Sequence, residues 1–391
     1  MRKHPWLPLF LTTTLIVLGW PNSTSIFDRL LNVLLVVIVA IEVIILPRFI
    51  TIQNKKLIIP LLLIFVSTTY INSSRIRNYL AREPVAYSYR TDMDDFLKTF
   101  FLMKHGNNYY ASFKMAIEQN PFKGKVSDNL WSWRLPTVFY VWNLLPGDTG
   151  ISIYMTFVSL TLLTLYASFE IAEDILGEKL QHLAILSPYL LYGYFHFGVR
   201  DETLLQTEWW GLFAVIFGIY FVIKRRPFLA SLFFTFAVLV RELYCVPFFI
   251  TAILSGFKKR QFPWVYLFPV GAFFLAIGVH SYFVRQELPA STQFFNPRLH
   301  QLSRDIIRAT FAFGSWEYMF YRIRLFIILY ILGFISIVKR LSEKTLLLLS
   351  FFIFPFSFWF IGTSVYNDYW GIMYIPIVLL TAPFIVQAAI I

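Results

Sequence analysis

The sequence predicts an all-α polytopic membrane protein, and three observations carry that prediction. Hydrophobic residues fill 58% of 391 positions, charged residues only 14%, and mean hydropathy is +0.63. Such a composition belongs to chains whose solvent is largely lipid. The apolar residues gather in about twelve runs long enough, or nearly so, to cross a bilayer as helices. Lysine and arginine fall mostly in the short loops between runs, as the positive-inside bias arranges them.

The first two runs, Trp6 to Trp20 and Leu30 to Leu46, make residues 1–56 a pair of N-terminal transmembrane helices. Met1-Arg2-Lys3-His4 ahead of them resembles a signal peptide, but no small-residue cleavage site follows, so a retained anchor is expected. The remainder, residues 57–391, opens with Leu57 to Ile71. After a long polar interval come Gly150 to Phe169, His182 to Phe197, Leu204 to Val222, Pro227 to Val240, Tyr244 to Phe257 and Pro263 to Phe283. Leu325 to Val338, Thr345 to Ile361 and Gly371 to Ile391 complete the set.

With a cytoplasmic N-terminus, the inside loops hold Arg48, Lys55 and Lys56, then Lys224 to Arg226, Lys258 to Arg260, and Lys339, Arg340 and Lys344. The chain is thus expected in a plasma or inner membrane, with residues 72–149 as a large outer loop. The net charge of +12 sits in these loops and forms no basic stripe for a phosphate backbone, which excludes nucleic acid as a partner. The single cysteine, Cys245, excludes an intrachain disulfide and reads as an inert thiol in apolar surroundings.

The outer loop carries the chemistry. Asp92, Asp94 and Asp95 lie within four residues. Behind them Phe96, Phe100 and Met103 share one face, which predicts an amphipathic helix lying on the membrane surface and stopping near Gly106. A second short helix is expected over Ala111 to Glu118, and Trp131 to Pro136 returns the chain to the interface. The acidic triplet has two readings. It is a solvated helix start, where negative charge is favoured, or a site where one carboxylate takes a proton while its neighbours orient it or hold a cation. Asp92 and Asp94 would be the ligands of such a divalent cation, Mg or Mn.

Further charged residues recur on the same side: Arg200-Asp201-Glu202, Glu208, and Arg241-Glu242. Each group is either an ion pair joining helices or part of a cavity. Arg298, Arg304, Arg308, Arg322 and Arg324 are interfacial anchors or anion ligands, and Tyr366 to Trp370, around Asp368, suits stacking on a sugar ring and equally an aromatic belt at the interface. Walker, dinucleotide, His-Glu-x-x-His and paired Cys or His metal motifs are all absent from the sequence.

The acidic motif, the run HGNNYY at His105 to Tyr110, RLPTVFYVWNLLP at Arg134 to Pro146, and the segment from Val199 to Glu242 resemble the integral-membrane glycosyltransferases of the GT-C fold. That superfamily includes the protein O-mannosyltransferases and the bacterial lipid A and polysaccharide glycosyltransferases. The resemblance implies a GT-C-like catalytic domain over residues 57–391 and a polyprenyl- or dolichyl-phosphate sugar donor. It implies a glycan, lipid or protein acceptor and a catalytic aspartate in the first large outer loop. That aspartate corresponds to Asp92, with Asp94 or Asp95 as the alternative, because the family's Asp-Glu pair stands here as Asp94-Asp95 or Asp92-x-Asp94. Arg200, Asp201, Glu202, Arg241 and Glu242 would line the donor phosphate and acceptor region, joined by Tyr109 and Asp368. A polysaccharide polymerase or ligase and a transporter of lipid-linked glycans are the competing functions. The first is expected to carry its largest outer loop late in the chain, the second to show two related halves.

Overall fold

The computed structural model describes residues 37, 58–85, 91–257, 263–289, 325–358 and 365–385. The two N-terminal runs, the loops with Lys55 and Lys258 to Arg260, and the arginines from Arg298 to Arg324 lie outside the described residues. Among those residues every regular element is helical and no strand occurs.

Helix α1, Ile58–Asn72, meets α2, Ser74–Leu80, at a bend of 63°. The break is made by side chains that take over the last carbonyls of α1. The Asn72 amide donates to Thr68 O (2.8 Å) and the Ser73 hydroxyl to Tyr70 O (2.8 Å), so the backbone turns without orphaned acceptors. Leu80 O then accepts from Gly150 N (2.8 Å), which pins the end of α2 to the start of a distant helix.

Helix α3, Asp92–Lys104, starts at a Thr91 cap and stops before Gly106, whose φ of +95° suits glycine. Helix α4, Tyr109–Gln119, starts on Asn108, whose carboxamide accepts from Ala111 N (2.9 Å). Both helices agree with the sequence; their surroundings do not. Rather than lying on a membrane surface with one face outward, α3 buries Asp94, Asp95 and Thr99 as well as Phe96, Leu97, Phe100, Phe101 and Met103. It packs against α4, against α5 (Thr137–Leu144), and against the 3-10 turn Glu202–Leu205. A helix enclosed on several sides must bury its polar groups in partnered form.

Helix α6, Ile151–Leu176, and α11, Trp264–Glu287, are each long and apolar enough to cross a membrane, and the bent pair α1–α2 is a third if taken as one span. Other apolar helices are shorter: α8 (Thr207–Ile223), α9 (Pro227–Val240), α10 (Cys245–Phe257), α12 (Leu325–Lys339) and α13 (Glu343–Ile353). Proline explains two contractions. Pro355 turns the end of the Thr345–Ile361 run into a 3-10 segment, and Pro376 and Pro383 punctuate the last run, whose described part holds the end of the 3-10 segment Val365–Met373, then α14, Ile375–Leu380, and helical residues 382–385. Helix α7, Leu186–Gly198, packs on α6 and α14.

Helices α8 and α9 form a close hairpin because Gly211 and Gly218 leave room on one face. A Cβ at Gly218 would stand 2.1 Å from Phe234 Cε1, and one at Gly211 2.4 Å from Tyr244 Cε2. The two ends of α6 differ in charge partners. Near its C-terminal end Glu170 accepts from Lys224 (2.8 Å) and Asp174 pairs with Lys344. Gly150, at the other end, touches α2 and α3. Glu170, the partner of Lys224, therefore lies about 30 Å along α6 from Gly150, at 1.5 Å per residue.

Candidate active site

The first turn of α3 separates the three aspartates by task. Thr91 and Asp94 form a capping box: the Thr91 hydroxyl accepts from the first-turn backbone and Asp94 Oδ2 accepts from Thr91 N (2.9 Å). Asp94 Oδ1 accepts from the Tyr79 hydroxyl (2.9 Å). At 3% exposure Asp94 caps the helix start but is not solvated there. The same carboxylate also borders a cleft.

Asp95 is fully buried and takes Asn120 Nδ2 on one oxygen (2.8 Å) and Lys123 Nζ on the other (2.7 Å). Burial pushes its carboxyl up from the ordinary value, and the hydrogen bonds from Lys123 and Asn120 pull it back only in part. Asp92 is 63% exposed and shares Lys123, at 2.6 Å. Burial pulls the Lys123 ammonium down, but hydrogen bonds to Asp92 and Asp95 more than reverse this and hold it above its ordinary value. Lys123 thus closes the loop after Pro121 over the helix start. Asp92 and Asp94 have separate partners, Lys123 for the first and Tyr79 with Thr91 for the second. Among the described residues no three His, Cys, Asp or Glu side chains gather as a metal ion would need.

The cleft has a volume of about 380 Å³. Asp94, Tyr79, Arg75, Arg82 and Glu83 line it, together with Arg200 and Glu202 from the turn after α7. The structure therefore joins three sequence-named residues, Asp94, Arg200 and Glu202. It adds Arg75, Tyr79 and Arg82, which the sequence reading passed over because they follow an apolar run in what looked like featureless loop. Arg200 Nη2 donates to Asn72 Oδ1 (2.8 Å), so the α1–α2 bend helps aim it. Glu83 is matched by Lys98 (2.5 Å). Burial pushes the Glu202 carboxyl up, and the hydrogen bond shared with Asp201 adds to that, while Arg75 pulls it back. A cleft lined by three arginines and a fixed carboxylate offers donors to an anion and an acceptor for a proton.

Arg241 and Glu242 stand elsewhere. Arg241, 2% exposed, has Nε 2.7 Å from Glu208 Oε1 and Nη1 2.5 Å from Glu242 Oε1, and lies 5.5 Å from the centre of the Trp370 ring. The Glu208 contact is close but misaligned for a hydrogen bond. Arg134 joins the group, donating to the Tyr369 hydroxyl (2.9 Å); burial acts to lower its guanidinium, while Tyr369, Glu208 and Glu242 hold it above its ordinary value. Two arginines and two glutamates thus form a cluster tying the segment around Arg134 to the start of α8 and the end of α9. Neither Arg241 nor Glu242 lines the cleft. Tyr109 is fully buried, with its hydroxyl on Arg134 O and its ring against Phe139, so it is packing rather than a substrate contact. The Asp368 side chain lies outside the described residues.

The chain matches no protein-family model, and no curated protein matches it.

Proposed function

We propose that this chain is a multi-pass membrane glycosyltransferase, moving a sugar from a polyprenyl- or dolichyl-phosphate carrier to an acceptor hydroxyl on the outer side of the membrane. The observation that carries the reading is the cleft lined by Asp94 together with Arg75, Arg82 and Arg200. Its location supports an outward opening: it lies at the Gly150 end of α6, opposite the basic hairpin that positive-inside bias keeps in the cytoplasm. About twelve spans, as counted from the sequence, belong to this proposal.

In the reaction the acceptor oxygen bonds to the anomeric carbon as the bond from that carbon to the phosphate oxygen breaks. The bonding electrons leave with the carrier phosphate, and the acceptor proton passes to Asp94. Positioned base assistance of this kind supplies about 10²- to 10⁴-fold. The arginines act on the departing phosphate, where negative charge grows, and a fixed guanidinium costs no reorganisation there. Asp94 takes the base role expected for Asp92 because it borders the cleft, whereas Asp92 is turned to Lys123.

The test uses full-length protein in lipid nanodiscs with a panel of radiolabelled polyprenyl-phosphate sugars. Release of free polyprenyl phosphate with one sugar supports the reading, and no release with any of them overturns it.

A further inference from the structure

We propose that Tyr79 is a positioning residue for Asp94, its hydroxyl fixing the plane in which that carboxylate faces the cleft. The inference rests on reading the cleft as a site of glycosyl transfer.

A capping box alone holds one carboxylate oxygen. It leaves the terminal torsion of an aspartate, which is broad and roughly two-fold, free to turn. Here the second oxygen is held from another element: Oδ2 by Thr91 N at 2.9 Å, Oδ1 by the Tyr79 hydroxyl at 2.9 Å. Two donors from two directions define the plane. Tyr79 is itself anchored by its neighbour Leu80, which is fully buried and accepts Gly150 N through its carbonyl. A Cβ at Gly150 would stand 3.0 Å from Leu80 O and 3.1 Å from Leu97 Cδ1, so glycine lets α6 begin against both α2 and α3. Burial, and then Asp94, push the Tyr79 phenol far above its ordinary range, which keeps the hydroxyl a donor. The line Gly150, Leu80, Tyr79, Asp94 thus runs from the start of α6 to the proposed base.

The experiment compares wild type, Tyr79→Phe, Asp94→Asn and the double variant in phosphatidylcholine–phosphatidylglycerol nanodiscs. The probe is the radiolabelled polyprenyl-phosphate sugar that wild type turns over fastest. Tyr79→Phe is expected to lower kcat about 10- to 100-fold, as a misplaced catalytic group does, with donor KM within about twofold of wild type. In the Asp94→Asn background the same change is expected to cost nothing more, because the group it positions is gone. Gly150→Ala, which displaces Leu80 without removing the hydroxyl, is expected to show the same split between kcat and KM. Unchanged kcat in Tyr79→Phe, or a further equal loss in the double variant, overturns the inference while leaving the cleft's role intact if Asp94→Asn alone lowers kcat about 100-fold or more. Full activity in Asp94→Asn, or no turnover by wild type, overturns both.

Discussion

Asp92, Asp94 and Asp95 show how residues of one type, three positions apart at most, acquire three different environments from their partners. Asp95 gives up solvent entirely and depends on Lys123 and Asn120. Its folded-state carboxyl value is raised above the unfolded value of about 4. Its contribution to stability is therefore present below that unfolded value and is lost as pH rises through the folded one. Asp95→Asn, which cannot ionise, is expected to gain stability relative to wild type between pH 4 and pH 7. Thermal unfolding of both proteins across that range checks it, and a difference that shrinks with pH would contradict the assignment. The clustering of the three was legible in sequence; their division of labour was not, because Tyr79, Asn120 and Lys123 are brought in by folding. Arg75 and Arg82 left one signal, basic residues directly after an apolar run. Positive-inside reasoning gives such residues no role on the outer side.

At the scale of elements, periodicity and apolar length located most helices because each is bounded by a local cause. Pro227 opens α9 where the apolar run begins, since proline is tolerated at the first helical position. The end of α6 was missed: the run was expected to finish at Phe169, but the helix continues to Leu176 because Glu170 and Asp174 find Lys224 and Lys344 on other elements. The α8–α9 hairpin depends on Gly218. Gly218→Ala forces Phe234 aside and is expected to cost about 1–3 kcal/mol, as overpacking does, seen as a lowered unfolding temperature in detergent. Arg241 belongs to the same region. Arg241→Ala leaves Glu208 buried without its counter-charge, a loss of about 3–5 kcal/mol. Its donor KM is expected to stay at the wild-type value, because the cluster stands apart from the cleft. A selective rise in donor KM without loss of stability would return Arg241 to the donor site.

At the scale of the whole molecule, charge divides the structure along α6. Arginines and the aspartate triplet surround one end, and lysines matched to Glu170 and Asp174 the other. The sequence recorded this division as loop composition, and the fold gives it distance. In a Cys245→Ser background, a cysteine at Asp128, which is exposed, is expected to react with a membrane-impermeant maleimide from outside intact cells. One at Arg225 is expected to react only after the cells are opened. The reverse pattern would place the cleft on the cytoplasmic side, where the proposed donor geometry would need inverting.

The most direct test of the central claim is the initial rate of polyprenyl-phosphate release, measured on Asp94→Asn and Asp92→Asn beside wild type with one donor. The account predicts that Asp94→Asn falls at least about 10²-fold, the lower bound for a lost general base, while Asp92→Asn stays near the wild-type rate. An active Asp94→Asn beside an inactive Asp92→Asn would contradict it and move the chemistry out of the cleft.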